Sequence, residues 1–197
     1  MSGAVGAPPP KGVVSEGTGV AGRTGLGRLR ELLLDSGGLL AGLLADGDGF
    51  GGSPERPGRL AAAGPRTAGH REEYELLVEA IFEGYLLHYC RPRVLRADEA
   101  DLGLLAGDRL YAIGLARLVA LGDTQAVAEL ADTITLSALA HGAGLPDLAE
   151  AVWQAGASAV GWGSSEEHGI AKRMVLDGHP DALDAMRTSV RELPAPR

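Results

Sequence analysis

From residue 70 onward the apolar positions recur at spacings of three and four, a period that predicts one helix after another. In Arg71–Tyr89 the side chains of Tyr74, Leu77, Val78, Ile81, Phe82, Tyr85, Leu86 and Tyr89 share a face. Glu72, Glu75, Glu79 and Glu83 fall mostly on other faces and read as a solvated acidic stripe. A second helix is predicted over Asp98–Leu121, where Asp98, Glu99 and Asp101 suit the positive end of a helix dipole. Gly122-Asp123-Thr124 is a stop and restart: glycine closes one helix, and aspartate or threonine caps the next. Further helices are expected from Gln125 to His141, Pro146 to Gly161, Glu166 to Leu176 and Pro180 to Leu193. Alternating β-branched runs and Asn-Gly turns do not occur. The expected class is all-α, an antiparallel helical bundle of about five to seven helices joined by short loops.

Before residue 70 the pattern breaks up. Leu29, Leu32, Leu33, Leu39, Leu40, Leu43 and Leu44 mark an amphipathic helix within Leu26–Ala45, interrupted at Gly37-Gly38. It reads as a surface helix docking on its own domain or on a sister subunit. The alternative is a peripheral membrane anchor, but that form carries Lys and Arg along its polar face, and here only Arg28 and Arg30 serve. Glycine and proline crowd both sides: 18 of 30 glycines and six of 11 prolines lie in residues 1–70. Residues 1–23, with Pro8-Pro9-Pro10, are therefore expected to be a disordered tail. Residues 24–69 are read as the short helix followed by a flexible linker from Asp46 to Gly69, and 70–197 as the helical domain.

Charge and composition narrow the function. The 197 residues fit one domain. Residues 71–197 hold 20 acids and 11 bases, and the whole chain has a net charge of −8, which argues against nucleic acid as a partner. No apolar run approaches the roughly 20 residues of a transmembrane segment, and no secretory leader is evident. The single Cys90 excludes an intrachain disulfide framework, so a cytoplasmic location is expected.

Candidate chemistry is sparse. The five histidines form neither H-x-x-x-H nor H-E-x-x-H, and G-x-S-x-G and phosphate-loop motifs do not occur. Cys90 has His88 as its nearest base in sequence, and His88 itself reads as a core or capping residue. The segment Leu104–Leu115 is the least average: Ala106, Gly107, Ala112 and Gly114 cost helix propensity, so close helix–helix contact is expected to compensate. Asp108, among apolar neighbours, is predicted on or beside a buried face, as a structural carboxylate needing a partner such as a backbone N–H, Arg91 or Arg93.

The stretch LLAGDRLYAIGLARLVALGDTQAVAELADTI, Leu104–Ile134, resembles the middle of the trans-type polyprenyl diphosphate synthases. His88-Tyr89-Cys90-Arg91-Pro92 sits where that family has its basic RRG-P segment. The resemblance implies an isoprenoid-synthase-like bundle, with Arg91, and less directly Arg93, at diphosphate-binding positions. The departures are substantial. The helix before that segment reads EEYELLVEAIFEGYLLHY without an aspartate pair, and no D-D-x-x-D occurs. Without Mg²⁺ the leaving diphosphate loses its main electrostatic stabilisation. The resemblance therefore implies no catalytic residues, no metal ligands and no cofactor, with magnesium relevant only beside a catalytic partner. It points to an accessory subunit contacting a catalytic synthase, in a homo- or hetero-oligomer, through Tyr85, Leu110, Tyr111 and Leu115. The alternatives are a drifted isoprenoid-fold protein that binds a small ligand or forms a structural homo-oligomer, and, third, an active prenyltransferase.

Overall fold

A computed structural model describes residues 24–45 and 57–190. The expected tail 1–23, the linker residues 46–56 and the end of the last predicted helix lie outside the described residues.

Among the described residues the chain is all-α, with nine helices and a single isolated bridge between Leu44 and Leu95. They are α1 Gly25–Ser36, α2 Gly38–Gly42, α3 Pro57–Ala63, α4 Arg71–Tyr89, α5 Ala100–Ala120, α6 Thr124–Gly142, α7 Pro146–Trp162, α8 Glu166–Leu176 and α9 Ala182–Ser189. The count exceeds the expected five to seven because Gly37 and Gly38, both at positive φ, split the leucine-rich segment, and because α3 forms inside the stretch read as linker. Proline and glycine density signals weak propensity. It does not weigh tertiary contact, and α3 is held by its neighbours: Gly58 N–H donates to Glu79 Oε1 at 3.2 Å and Arg71 donates to the Ala62 carbonyl at 2.8 Å.

Three turns explain the sharp boundaries in the second half. After α5, α6 and α8 the N–H of the residue beyond glycine reaches back five positions, Asp123 to Leu118, Leu145 to Ala140 and His179 to Met174. Gly122, Gly144 and Gly178 take the left-handed conformation that this helix-ending motif requires. Asp123 then caps α6 by accepting from Ala126 N–H at 3.0 Å.

The centre of the fold is the α4–α5 pair. A Cβ on Gly84 would stand 2.9 Å from the Gly107 carbonyl, one on Gly114 would stand 3.2 Å from the Leu77 carbonyl, and one on Gly103 3.9 Å from that of Leu87. The α5 number rises as the α4 number falls, so the two helices run antiparallel with their backbones nearly touching at Gly84 and Gly107. The small residues that weaken α5 as an isolated helix are what permit this approach.

On one side α1 and α2 lay Leu26, Leu29, Leu33 and Leu40 against Leu76, Ala80, Val94, Leu95, Ala106 and Leu110. These leucines are fully or almost fully buried, so the 26–45 segment belongs to the same core as α4 and α5. On the other side Phe82, Leu118, Leu130 and Trp153 join α4 and α5 to α6 and α7, and α8 and α9 close over α6 and α7 around Val152, Ala171 and Met186.

Candidate functional site

The segment after α4 is anchored by charge. Glu79 and Glu83, one turn apart on α4, are both 0 % exposed, which corrects their reading as a solvated stripe. Arg93 lies between them, its NH2 group 2.8 Å from Glu79 Oε2 and its Nε 3.1 Å from Glu83 Oε2. Glu83 Oε1 also accepts the backbone N–H groups of Arg93, Val94 and Leu95 at 2.7, 2.6 and 3.2 Å. The guanidinium sits 4.8 Å above the centre of the Phe82 ring. Each buried charge thus has a complement beside it, the condition under which buried ions are tolerated. Arg93 is therefore committed within the chain, and of the two arginines expected to meet diphosphate only Arg91 is exposed. No sequence spacing pointed to this cluster. The available signal was two glutamates flanked on both sides by apolar residues.

Asp108 is also corrected. It lies on the outer side of α5 with 69 % of its side chain exposed, 3.3 Å from His88 Nε2, and it makes no contact with Arg91 or Arg93. Of the four expected partner-contact residues, Tyr85 and Leu110 are buried inside the chain's own core and Tyr111 and Leu115 are half-buried against it. The surface that α5 leaves open lies round the other side of the helix. Leu105, Ala112 and Val119 recur there at seven-residue spacing, with Leu104 and Ala116 nearby and Asp108 and Arg109 between Leu105 and Ala112, and Leu105 and Val119 are 61 % and 59 % exposed.

Where α4, α6 and α7 converge, a cavity of about 270 Å³ opens. Phe82, Tyr85, Leu86 and Cys90 line it from α4 and the residue that follows it, His141 from the end of α6, and Asp147, Glu150, Trp153 and Gln154 from α7. The rings interlock: Phe82 stacks on Tyr85 at 5.5 Å, Trp153 meets Phe82 edge-on at 4.9 Å, and Tyr89 stacks flat on His141 at 4.8 Å. Tyr85 Oη and His141 Nε2 are hydrogen-bonded at 2.8 Å, and the Cys90 thiol approaches the same Oη at 3.8 Å. Burial first, and the neighbouring Cys90 second, push the Tyr85 phenol well above its ordinary range, so it is a neutral hydroxyl at any physiological pH. Sequence reasoning found Tyr85 and Cys90 but not this set, because His141, Glu150 and Trp153 come from other helices with no shared motif.

Two further polar groups fasten helices together. His168 Nε2 lies 2.7 Å from Glu129 Oε1 and its Nδ1 3.2 Å from Ser189 Oγ. Acid, imidazole and hydroxyl stand in the order of a nucleophilic triad. The Ser189 hydroxyl, however, donates at 2.8 Å to the Met186 carbonyl, and Lys172 pairs with Glu129 at 3.1 Å, so the set works as a tie between α6, α8 and α9. At the opposite end, Tyr74 donates to Asp123 Oδ2 at 2.7 Å and Arg66 pairs with Asp123 at 3.0 Å. Among the described residues no three His, Cys, Asp or Glu side chains gather to hold a metal ion, and no helix is long and apolar enough to cross a membrane. Compared with family models, curated proteins and solved structures, the chain matches none.

Proposed function

We propose that this chain is a non-catalytic helical subunit related to the polyprenyl diphosphate synthases, working through contact between its α5 and a catalytic partner. The observation that carries the reading is that α5 exposes large apolar side chains away from α4. Its glycine side is filled by α4, while Leu105, Ala112, Ala116 and Val119, with Leu104 to one side and Asp108 and Arg109 among them, form an exposed and mainly apolar strip with no partner in the chain's described residues. Helices expose such a strip at heptad spacing when another helix covers it. The partner surface is thus moved from Tyr85, Leu110, Tyr111 and Leu115 to the outer side of the same helix. On the sequence resemblance, the partner this reading calls for is a synthase chain carrying D-D-x-x-D.

Co-expression with such a chain, followed by affinity capture and size-exclusion chromatography, tests the reading. A stable complex is expected, and Leu105→Arg with Val119→Arg should abolish it while leaving the helical circular dichroism unchanged. A complex indifferent to both substitutions would overturn the role of α5, and elution of the wild-type chain alone would overturn the subunit reading.

The cavity beside His141 favours a second reading, in which the chain binds a small ligand of its own.

A further inference from the structure

On that second reading, we propose that the cavity between α4, α6 and α7 takes a small organic ammonium ion. Its lining combines two chemistries. Phe82, Tyr85 and Trp153 bring aromatic rings to it. From α7, which also carries Trp153, come Asp147, Glu150 and Gln154, which stand at three- and four-residue spacing and so share a face of that helix. Asp147 and Glu150 are exposed at the cavity, and neither forms an ion pair with an Arg, Lys or His among the described residues. The buried and half-buried carboxylates Glu73, Glu79, Glu83, Asp123 and Glu129 are each paired with a cation within the chain, whereas exposed ones such as Asp98, Glu99 and Asp101 form no ion pair among the described residues either.

This combination selects among ligand classes. An anion would face two carboxylates. A divalent metal needs several oxygen ligands brought together in one cage, and here two carboxylates share a lining that is otherwise largely ring and aliphatic carbon. An alkylammonium ion has a diffuse charge and an apolar surface, so it gains from both kinds of group at once, the carboxylates and the aromatic rings. The volume of about 270 Å³ suits a ligand of choline size and not a long prenyl chain. The net charge of −8 raises the local concentration of cations over the whole surface.

Trp153 provides the readout, because the chain has two tryptophans and Trp162→Phe leaves it alone. Choline chloride is titrated at low ionic strength and followed by Trp153 emission, with 3,3-dimethyl-1-butanol as the uncharged isostere and sodium chloride as the salt control. A saturable response to choline is expected, weakened about tenfold or more in Asp147→Asn/Glu150→Gln, with little response to the alcohol. Both replaced side chains are exposed, and Asp147 gives up only its charge in the first turn of α7, so the double variant should stay folded and melt within a few degrees of the parent, which matched circular dichroism melts check. An equal response to the alcohol overturns the ammonium specificity but leaves a ligand cavity standing. A response to choline that sodium chloride reproduces, or that the double variant retains, overturns the site. No saturable response to either probe overturns the ligand reading as well.

Discussion

Arg93 Nε stands 3.1 Å from Glu83 Oε2, and both side chains are buried. The contact fixes the chain as it leaves α4, and Glu83 completes the fixing by accepting three consecutive backbone N–H groups from the 93–95 segment. Removing one member of such a pair strands the other as an uncompensated buried charge, at a cost of about 3–5 kcal/mol. Glu83→Ala and Arg93→Ala should therefore each lower the urea midpoint severely. The combined change of Glu79→Gln, Glu83→Gln and Arg93→Met, which leaves no lone charge, should recover a good part of the loss. A single-variant cost below about 1 kcal/mol would show that the cluster is not closed to water.

The same cluster shows where sequence reading stops. The bounds of α4 followed from its leucine and aromatic period, and the stops at Gly122 and Gly144 from glycine chemistry, because these are local properties of a few consecutive residues. That α5 meets another helix closely was legible too, since glycines inside a helix need a close neighbour to offset them, but that the neighbour is α4 was not. The fate of Glu79 and Glu83 was not, because their burial depends on where Gly58 and Arg93 arrive, and one of those sits in a segment whose glycine and proline content signals a linker. Asp108 failed in the opposite direction. Apolar neighbours in sequence suggested burial, yet α5 carries apolar residues on two sides, so neighbours do not tell which side faces in.

The glycines of the α4–α5 seam should behave unlike glycines elsewhere. A Cβ on Gly84 would meet the Gly107 carbonyl at 2.9 Å, a backbone atom that cannot turn aside. Gly84→Ala should therefore push the helices apart and cost about 1–3 kcal/mol, outweighing the gain in helix propensity. At Gly142, the last residue of α6, an added Cβ would find nothing within 4 Å, and φ is ordinary, so Gly142→Ala should stabilise by up to about 0.5 kcal/mol. Thermal melts of the two variants should shift in opposite directions.

Asp123 makes stability sensitive to acid, and Tyr74 makes it sensitive to base. Burial disfavours the Asp123 carboxylate, but hydrogen bonds from Tyr74 and Ala126 N–H, with the charge of Arg66, outweigh it and hold the group below its usual 3.8. A lowered carboxylate contributes stability that is complete above the unfolded value and is lost as pH falls below 3.8 toward the folded one. Burial, reinforced by the hydrogen bond to Asp123, pushes the Tyr74 phenol up from 10.0 to about 12. That contribution is complete below pH 10 and disappears as pH rises to about 12. Tyr74→Phe should remove the alkaline loss assigned to this residue and weaken the acid one, while costing about 1–2 kcal/mol at neutral pH. Urea midpoints from about pH 2.5 to about pH 11 for the two proteins check both limbs, and superimposable profiles would show that the Tyr74–Asp123 contact does not persist in solution.

Asp108→Ala should be nearly silent. Its carboxylate is 69 % exposed, and its one charged neighbour is His88, 3.3 Å away and uncharged unless protonated. An exposed pair of this kind is worth between 0 and about 1 kcal/mol, because water solvates both groups almost as well when they part. At about 2–4 °C per kcal/mol for a chain of this size, the melting temperature should move by no more than a few degrees, and Asp108→Asn should match it. Alanine also improves helix propensity at this position in α5, which offsets part of whatever the pair supplied. A loss of about 2 kcal/mol or more in the alanine variant, with the asparagine variant close to the parent, would mean that the carboxylate accepts a hydrogen bond essential to the fold and that this side of α5 is closed to solvent.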